Sequence, residues 1–186
     1  MLTLDDNEFF EDCQQHYTLH TDEDTEGEKF TFFKLAPKKS GKYLNYGCCE
    51  GKAVDLLRND GWDVYGYEPF ANKADSSNPY IITSKDEVSR MRFDGLFSNN
   101  VLEHLTNPLE TLLFMKSLLV DDSCIMVHST PCYEYLYEQT RFHLIFYTGQ
   151  SIFKLSELAG LIPYNHYSEI RNGHTYTSYH FKSAPF

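Results

Sequence analysis

The sequence predicts an α/β fold, with a doubly wound, mostly parallel sheet of seven strands that includes an antiparallel terminal strand. The first observation is that apolar, strand-like segments alternate from Lys42 onward with segments of helical periodicity. The second is that the last two strand-like segments, 162–170 and 175–182, flank Asn172-Gly173, a strong hairpin signal. Alternating strands and helices favour a parallel sheet covered on both faces, and a terminal hairpin adds an antiparallel edge.

Each element has a local pattern that supports it. Five short apolar segments before the hairpin are predicted as strands, and these are 42–47, 63–67, 80–83, 93–98 and 123–128. Three segments carry apolar residues at helical spacing and one is short and polar; these predicted helices are 52–59, 109–119, 150–159 and 86–90. Gly61 and Gly160 follow two of the helices, and glycine is the usual residue just past a helix end.

The first 40 residues are predicted as a leader or cap, and residues 41–186 as the folded domain. A turn at 37–41 separates the two parts. Within the leader, 22–28 is acidic and is predicted as an exposed loop. The aromatic cluster at 30–33 is predicted to pack on the domain.

The composition excludes several classes of protein. Acidic residues outnumber basic ones by 27 to 16, and the resulting charge of −11 repels phosphate backbones, so we expect no nucleic-acid partner. No apolar run reaches the 18 residues that a membrane-spanning helix needs, and the acidic N-terminus is unlike a signal peptide. The five cysteines are odd in number and contain no CxxC pair, which predicts reduced thiols and a cytoplasmic protein.

A glycine-containing loop lies between the first strand and the first helix of the domain. Its sequence, YLNYGCCEG from Tyr43 to Gly51, places Gly47 and Gly51 where the backbone must turn sharply. Ligands of open α/β sheets bind beyond the carboxyl ends of the strands, where such a loop lies. The following helix also presents its first amides to polar ligand groups. A plain tight turn explains these glycines equally well.

An acidic residue at the end of the second strand adds a more specific signal. Glu68 lies 21 residues after Gly47, a spacing at which a carboxylate accepts the hydroxyls of a ribose. Pro69 and Phe70 follow and are candidates to flank an adenine. A dinucleotide needs a third glycine around its pyrophosphate, where Cys49 stands instead. The two signals therefore favour an adenosine-containing cofactor without a pyrophosphate.

These motifs resemble those of class I S-adenosylmethionine-dependent methyltransferases. The loop resembles the first motif of that family, usually Leu-Asp-x-Gly-Cys-Gly-x-Gly, and Glu68 resembles the acidic residue of the second. The segment 93–108, FDGLFSNNVLEHLTNP, resembles the motif of the fourth strand, and the whole resemblance covers about 40–182. Its Leu-Glu-His form is similar to the branch of ubiquinone-type O-methyltransferases, which also holds many small-molecule and sugar methyltransferases. The resemblance implies a Rossmann-like fold and S-adenosylmethionine as cofactor.

The sequence departs from the family pattern at several positions. Asn45 replaces the aspartate of the first motif, so an acceptor remains but a charge that would attract the cofactor's ammonium is lost. Cys49 replaces the middle glycine. No acidic residue ends the third strand to hold the adenine amine, and Ser84 is the nearest polar candidate. Weaker cofactor binding, or a non-catalytic cofactor-binding domain, is the expected effect.

The resemblance implies a set of cofactor contacts. The backbone of Gly47 and Cys48 is expected at the methionine part, Glu68 at the ribose, and Asn99 at the methionine part or the sulfonium. The complete predicted cofactor site is Asn45, Gly47, Cys48, Gly51, Glu68, Pro69, Phe70, Ser84 and Asn99.

Histidine is the natural general base for a hydroxyl acceptor near neutral pH. His143 is the first candidate, because a similar His-x-x-Phe-Tyr-Thr pattern lies over the acceptor site in the resembled family. His128, at the end of the fifth strand, is second, and His104 is third. Each of these histidines also has a purely structural interpretation.

An aromatic segment precedes and follows His143 and is predicted to contact the acceptor. Its tyrosines at the predicted acceptor site are Tyr133, Tyr135 and Tyr147, whose hydroxyls suit a polyol. A covering flap packed on the sheet is an equally good interpretation.

No metal is predicted. In the resembled branch a carboxylate three positions before the Glu-His pair helps to form a divalent site, and Asn100 stands there in this chain. Glu103, His104 and an amide make a poor ligand set for a divalent cation.

The sequence thus favours a methyltransferase that acts on a hydroxyl of a small molecule, with a carbohydrate as the expected acceptor. Two alternatives remain open, a nicotinamide-dependent oxidoreductase or epimerase and a non-catalytic cofactor-binding module. The missing third glycine and the absence of a Tyr-x-x-x-Lys pair argue against the first. The short leader also suggests that the chain is a domain of a larger protein.

Overall fold

The computed structural model describes residues 24–70, 78–131, 143–147, 149–171 and 174–184. Its strands form one seven-stranded sheet in the order β3-β2-β1-β4-β5-β7-β6. The strands are β1 Lys42–Tyr46, β2 Asp63–Tyr67, β3 Ile81–Ile82, β4 Gly95–Asn99, β5 Ile125–Pro131, β6 Leu161–Arg171 and β7 His174–Ser183. The α-helices are α1 Thr25–Phe33, α2 Lys52–Asn59, α3 Lys85–Val88, α4 Pro108–Ser117 and α5 Ser151–Leu158, and Leu102–His104 is a short 3₁₀ helix.

The topology confirms the predicted fold class. Strands β1 to β5 pair in parallel, and β7 pairs antiparallel with both β5 and β6. The order of the strands reverses at β1, which lies between β2 and β4. A ligand crevice of a doubly wound sheet forms at such a reversal, beyond the carboxyl ends of the strands.

Two apolar cores cover the faces of the sheet. One face carries Leu44, Leu96 and Met126, and it packs with helices α4 and α5 through residues such as Leu112 and Ile152. The opposite face packs with α1 and α2, and its core residues are Phe32, Leu35, Tyr43, Cys48, Val54, Leu57, Val64, Phe97 and Val127. Successive strand residues point to opposite faces, which explains why both cores draw on the same strands.

The prediction of an exposed loop at 22–28 is wrong for the residues that the structure describes. Asp24 caps helix α1 by accepting a hydrogen bond from the Gly27 amide at 3.1 Å, and Thr25 begins the helix. Glu28 is buried, with 5% of its surface exposed. The expected packing of the aromatic cluster is confirmed for Phe32, whose ring centroid lies 5.4 Å from those of Tyr43 and Phe97, whereas Phe30 and Phe33 are 39% and 49% exposed. The division into a leader and a domain at residue 40 stays a prediction.

Within the described residues, no helix has the length and apolar character that crossing a bilayer requires.

Candidate active site

The loop between β1 and α2 is a tight turn at the carboxyl end of the sheet. Gly47 and Gly51 have φ angles of 75° and 83°, and Cys49 has a φ of 49°. A Cβ at Gly47 would lie 2.5 Å from Cγ2 of Val101, and one at Gly51 would lie 2.5 Å from Cδ1 of Ile81. Both positions therefore require glycine, and the loop lies close to the chain that follows β4 and to β3.

The backbone groups at Gly47 and Cys48 are hydrogen-bonded within the fold. The amides of Gly47 and Cys48 both donate to the carbonyl of Tyr67, at 2.8 and 3.4 Å. The Cys48 side chain is fully buried and packs where Gly66 leaves space. The Cys48 carbonyl in turn accepts from the Gly51 amide at 2.8 Å, so both polar backbone groups of Cys48 have partners within the fold. The amides of the first turn of α2, which has no side-chain cap at Gly51, are oriented toward the same end of the sheet.

Glu68 joins the two cofactor motifs of the sequence. Its Oε2 accepts from the Cys49 amide at 3.2 Å and its Oε1 accepts from the Phe70 amide at 3.2 Å. Desolvation raises the pKa of Glu68, and these two amides oppose that rise. The carboxylate is therefore fixed beside the glycine loop at the end of β2, and its contact with a ribose stays a prediction.

The remaining residues predicted near the adenine differ in how they are placed. Pro69 and Phe70 are exposed beside Glu68. The Ser84 hydroxyl accepts from the Glu87 amide at 3.3 Å and so caps helix α3. The Ser84 hydroxyl oxygen thus uses one lone pair to cap the helix, and only its second lone pair could accept from the adenine amine.

Asn45 lies fully buried on β1, two residues before Gly47. Its Nδ2 donates to Oε2 of Glu28 from helix α1, and its Oδ1 is buried without a hydrogen-bond partner. A buried amide oxygen without a partner is costly, so it is a candidate acceptor for a bound donor.

Asn99, at the end of β4, belongs to a polar network across the sheet. Its Nδ2 donates to Asp24 at 3.1 Å, and its Oδ1 accepts from Nη2 of Arg171 at 3.1 Å. Arg171 also donates to Asp24 at 2.8 Å and to the Ser129 hydroxyl at 2.8 Å, and its Nε lies 3.2 Å from Glu169. Both polar atoms of the Asn99 amide are therefore hydrogen-bonded within the protein, and its contact with the cofactor stays a prediction.

The segment 143–147 is held against the short helix that follows β4. The carbonyl of Glu103 accepts from the amides of Leu144 and Ile145, at 2.7 and 3.2 Å. This attachment brings the rings of His143 and His104 together, with centroids 4.8 Å apart and planes at 77°. The first and third candidate bases therefore form a pair, although they lie far apart in the sequence.

The surroundings of this pair shift the pKa values of its members. Burial, with a smaller effect of His104, lowers the pKa of His143 to about 4. Burial raises the pKa of Glu103 to about 8, although its backbone, Thr130 and Arg171 oppose the rise. The Glu103 Oε2 accepts from the Thr130 hydroxyl at 2.9 Å, whereas its Oε1 is buried without a hydrogen-bond partner. At neutral pH the site thus offers a neutral imidazole beside a protonated carboxyl group.

The same three side chains are the group among the described residues that could hold a metal ion. One ligand atom from each of Glu103, His104 and His143 lies within 4.8 Å of the others. The sequence suggested an amide as the third ligand, whereas the fold supplies an imidazole from a distant segment. The prediction that no metal is bound stays a prediction.

Two candidates from the sequence lie in structural positions. Tyr147 is 9% exposed, and its hydroxyl donates to the Leu102 carbonyl at 3.0 Å, so it fastens the segment instead of facing an acceptor. His128 is fully buried within the sheet, its Nδ1 is 2.8 Å from the Ser98 hydroxyl, and burial lowers its pKa to about 3. These placements do not support an acceptor contact by Tyr147 or proton transfer by His128. Tyr133 and Tyr135 lie outside the described residues.

Three charged residues of the site escaped the sequence analysis. Asp24 and Glu28 belong to the leader, where the acidic run suggested only a solvated loop. Arg171 is the last residue of β6, and the sequence analysis predicted this hairpin without assigning a role to its charged residues. The capping signal of Asp24 before Thr25 was available, because aspartate is a preferred residue at a helix N-cap.

The fold and the loop thus define an α/β domain with a doubly wound, mostly parallel sheet and a glycine-containing turn where the strand order reverses. Residues 20–183 match a family described as a methyltransferase domain, and the chain belongs to this family. The expectation of a class I S-adenosylmethionine-dependent methyltransferase, with that cofactor, is confirmed at the level of the family. The O-methyltransferase branch is not distinguished by this match.

Solved structures support the same fold. The 1,6-didemethyltoxoflavin N1-methyltransferase from Burkholderia thailandensis, solved with bound 1,6-didemethyltoxoflavin and S-adenosylhomocysteine, is 17% identical to this chain. The match covers 96% of this chain and 87% of that chain, with a TM-score of 0.70. A SAM-dependent methyltransferase from Archaeoglobus fulgidus is 13% identical over 84% of this chain and 92% of that chain, with a TM-score of 0.63. Phosphoethanolamine N-methyltransferase 2 from Haemonchus contortus is 10% identical. The match covers 85% of this chain and 52% of that chain, with a TM-score of 0.63. No curated protein matches the chain.

Proposed function

We propose that the protein transfers the methyl group of S-adenosylmethionine to a hydroxyl of a small molecule, with a carbohydrate as the expected acceptor. The observation that carries this proposal is the His104–His143 pair, which the fold assembles next to the chain following β4. A hydroxyl acceptor loses a proton during methylation, so a neutral imidazole at the acceptor side has a use there.

The residues of the cofactor loop fit this cofactor. The carboxylate of Glu68 would accept the ribose hydroxyls, and Pro69 and Phe70 would lie along the adenine. The carbonyl of Gly47 and the buried Oδ1 of Asn45 are acceptors that suit an ammonium group. When bound, S-adenosylmethionine supplies a methyl group on a sulfonium, whose neutral thioether is a good leaving group.

His143 would take the acceptor's proton. With a pKa lowered to about 4, its ring is neutral throughout the physiological range and can accept a proton. His104 would orient the ring of His143, because the two imidazoles are in edge contact. The carbonyl of Glu103 fixes the backbone on the C-terminal side of His143, which holds the base in one position.

A nitrogen acceptor is the second candidate. The low pKa of His143 makes it a weak base, and a neutral amine or ring nitrogen needs less help from a base than an alcohol does. The neighbours from Burkholderia thailandensis and Haemonchus contortus are both N-methyltransferases by name, which supports keeping this class in the test.

The test begins with calorimetric titration of the chain with S-adenosylmethionine, S-adenosylhomocysteine and NAD. Binding of the first two without NAD is the expected result, and it is followed by a methyl-transfer screen over sugars, phenols and amines. Methylation of a sugar hydroxyl supports the full proposal, and methylation of amines alone moves the assignment to the nitrogen class. Cofactor binding without transfer to any acceptor class supports the non-catalytic module, and binding of NAD alone supports the oxidoreductase.

A further inference from the structure

The aspartate that the family carries at position 45 is replaced by an amide in this chain, yet a carboxylate touches that amide. The Nδ2 of Asn45 donates to Oε2 of Glu28, a residue of helix α1 that is 17 positions earlier. Both side chains are buried, with exposures of 0% for Asn45 and 5% for Glu28. A carboxyl group therefore lies beside β1 at this position, although it belongs to a different element.

The placement of Glu28 follows from the way that α1 lies along the sheet. Phe32 packs on Tyr43, and Glu28, one helical turn earlier, meets Asn45, two residues further along β1. Four helix residues advance about 6 Å, and two strand residues advance about 6.6 Å, so every fourth residue of an antiparallel helix meets every second strand residue. A further turn places Asp24 at Asn99, at the end of β4.

Several contacts hold the helix in this register. The Phe32 ring is in edge contact with Trp62 as well as Tyr43, with centroids 5.2 and 5.4 Å away. At the other end, Asp24 is bound by Arg171 at 2.8 Å and by Asn99 at 3.1 Å. Glu28 is thus fixed between two anchored points, and its carboxylate cannot move far from Asn45.

The positions of Asn45 and Glu28 suit the binding of a cationic ligand group. Asn45 lies two residues before Gly47, and its Oδ1 is buried without a hydrogen-bond partner. The amide oxygen and the neighbouring carboxylate together offer acceptors and a negative charge at the base of the cofactor loop. A charge-assisted hydrogen bond is stronger than one between neutral groups, and it is strengthened further where water is excluded.

We infer that Glu28 supplies the negative charge that binds the ammonium of the cofactor's methionine part, in place of the family's first-motif aspartate. Asn45 orients the Glu28 carboxylate and adds its own Oδ1 as an acceptor. This inference rests on the cofactor contacts of the proposed function, and it makes the leader helix part of the cofactor site.

The test exchanges the two side chains and compares two ligands. Glu28→Gln removes the charge but keeps the size of the side chain, and Glu28→Gln with Asn45→Asp exchanges carboxylate and amide between the two positions. Glu26→Gln is the matched control, because Glu26 is on the same helix with 83% of its side chain exposed. The ligands are S-adenosylhomocysteine, which carries the ammonium, and 5′-methylthioadenosine, which lacks the amino-acid part. Affinities are measured by calorimetry, and thermal melting reports whether each variant is folded.

We expect Glu28→Gln to weaken S-adenosylhomocysteine binding by about tenfold or more, the scale of a hydrogen bond to a charged group. The affinity for 5′-methylthioadenosine should change by less than about twofold, and the double variant should regain most of the lost S-adenosylhomocysteine affinity. Unchanged binding of S-adenosylhomocysteine to Glu28→Gln overturns the inference, and so does an equal loss of both ligands, which indicates a structural role. If Glu28→Gln does not fold, a folded double variant that binds weakly also overturns it. Failure of the unmodified protein to bind either ligand instead overturns the proposed function.

Discussion

The carboxylate of Glu68 is hydrogen-bonded to the backbone amide of Cys49, at 3.2 Å, and so ties the end of β2 to the loop that follows β1. This contact positions the carboxylate beside the turn of the loop, where a ribose would lie. The loop and the acidic residue are therefore one structural unit, and a change in either is expected to affect the other.

The first prediction concerns Glu68. Glu68→Gln should weaken S-adenosylmethionine binding about tenfold or more, because the ribose hydroxyls lose a charged acceptor. Calorimetric titration measures the effect. Glu87→Gln, an exposed residue of α3, is the control for the change in net charge. Equal affinities of Glu68→Gln and the unmodified protein would show that the ribose is held elsewhere.

The second prediction concerns the backbone at Cys49. A φ of 49° is unfavourable for a residue with a Cβ, so Cys49→Gly should stabilise the protein by about 1 kcal/mol. For a chain of this size that corresponds to a rise in melting temperature of about 2–4 °C. Cys49→Val should lower the melting temperature, because β-branched residues tolerate this conformation poorly. A lower melting temperature for the glycine variant would contradict this explanation.

The third prediction concerns the histidine pair. His143→Asn should lower kcat about 10²-fold or more if the acceptor is a hydroxyl, with cofactor affinity unchanged. His104→Asn removes one cause of the low pKa of His143, so the acid limb of the pH–rate profile should move upward from about 4. The profile of kcat/KM against pH tests this shift, which a loss of folding alone does not produce. A profile that stays in place would show that His143 is not the group that titrates.

The fourth prediction concerns Glu103 and the dependence of stability on pH. Its pKa is about 8 in the folded protein and 4.5 as the ordinary value, so the folded state binds more protons between these limits. The free energy of unfolding is therefore highest below pH 4.5. It falls as the pH rises from 4.5 to 8, by at most about 1.4 kcal/mol for each pH unit. Glu103→Gln should therefore flatten the dependence of melting temperature on pH in this window. If the slope of melting temperature against pH is unchanged in Glu103→Gln, a group other than Glu103 titrates in this window.

The fifth prediction separates the structural from the ligand-binding role of Tyr147. Tyr147→Phe removes the bond to the Leu102 carbonyl, which keeps only the Leu105 amide at 3.4 Å, at a cost of about 0.5–1.5 kcal/mol in the free energy of unfolding. Denaturant unfolding measures this loss. The KM for the acceptor should not change by more than about twofold at a temperature where the variant is folded. A raised KM with unchanged stability would restore Tyr147 to the acceptor site.

Local signals in the sequence were sufficient for the sheet and the cofactor loop. Short apolar runs, helical spacing and the Asn172-Gly173 turn depend on neighbouring residues, and they predicted the alternation of elements and the terminal antiparallel pair. The positive φ angles of Gly47 and Gly51 are likewise a local requirement that glycine satisfies. The spacing between Gly47 and Glu68 reflects the length of the loop, one helix and one strand, so it too can be found along the chain.

The tertiary structure alone decided which polar residues meet and which are withdrawn from the site. Burial of His128 and Tyr147, contact of His104 with His143, and contact of Glu28 with Asn45 all join or enclose segments that are distant in the sequence. Sequence periodicity specifies the face of an element, but not the neighbour that packs on that face. The sequence thus determined the fold and the class of cofactor, whereas long-range packing determined which charged residues and which candidate base come together at the proposed site.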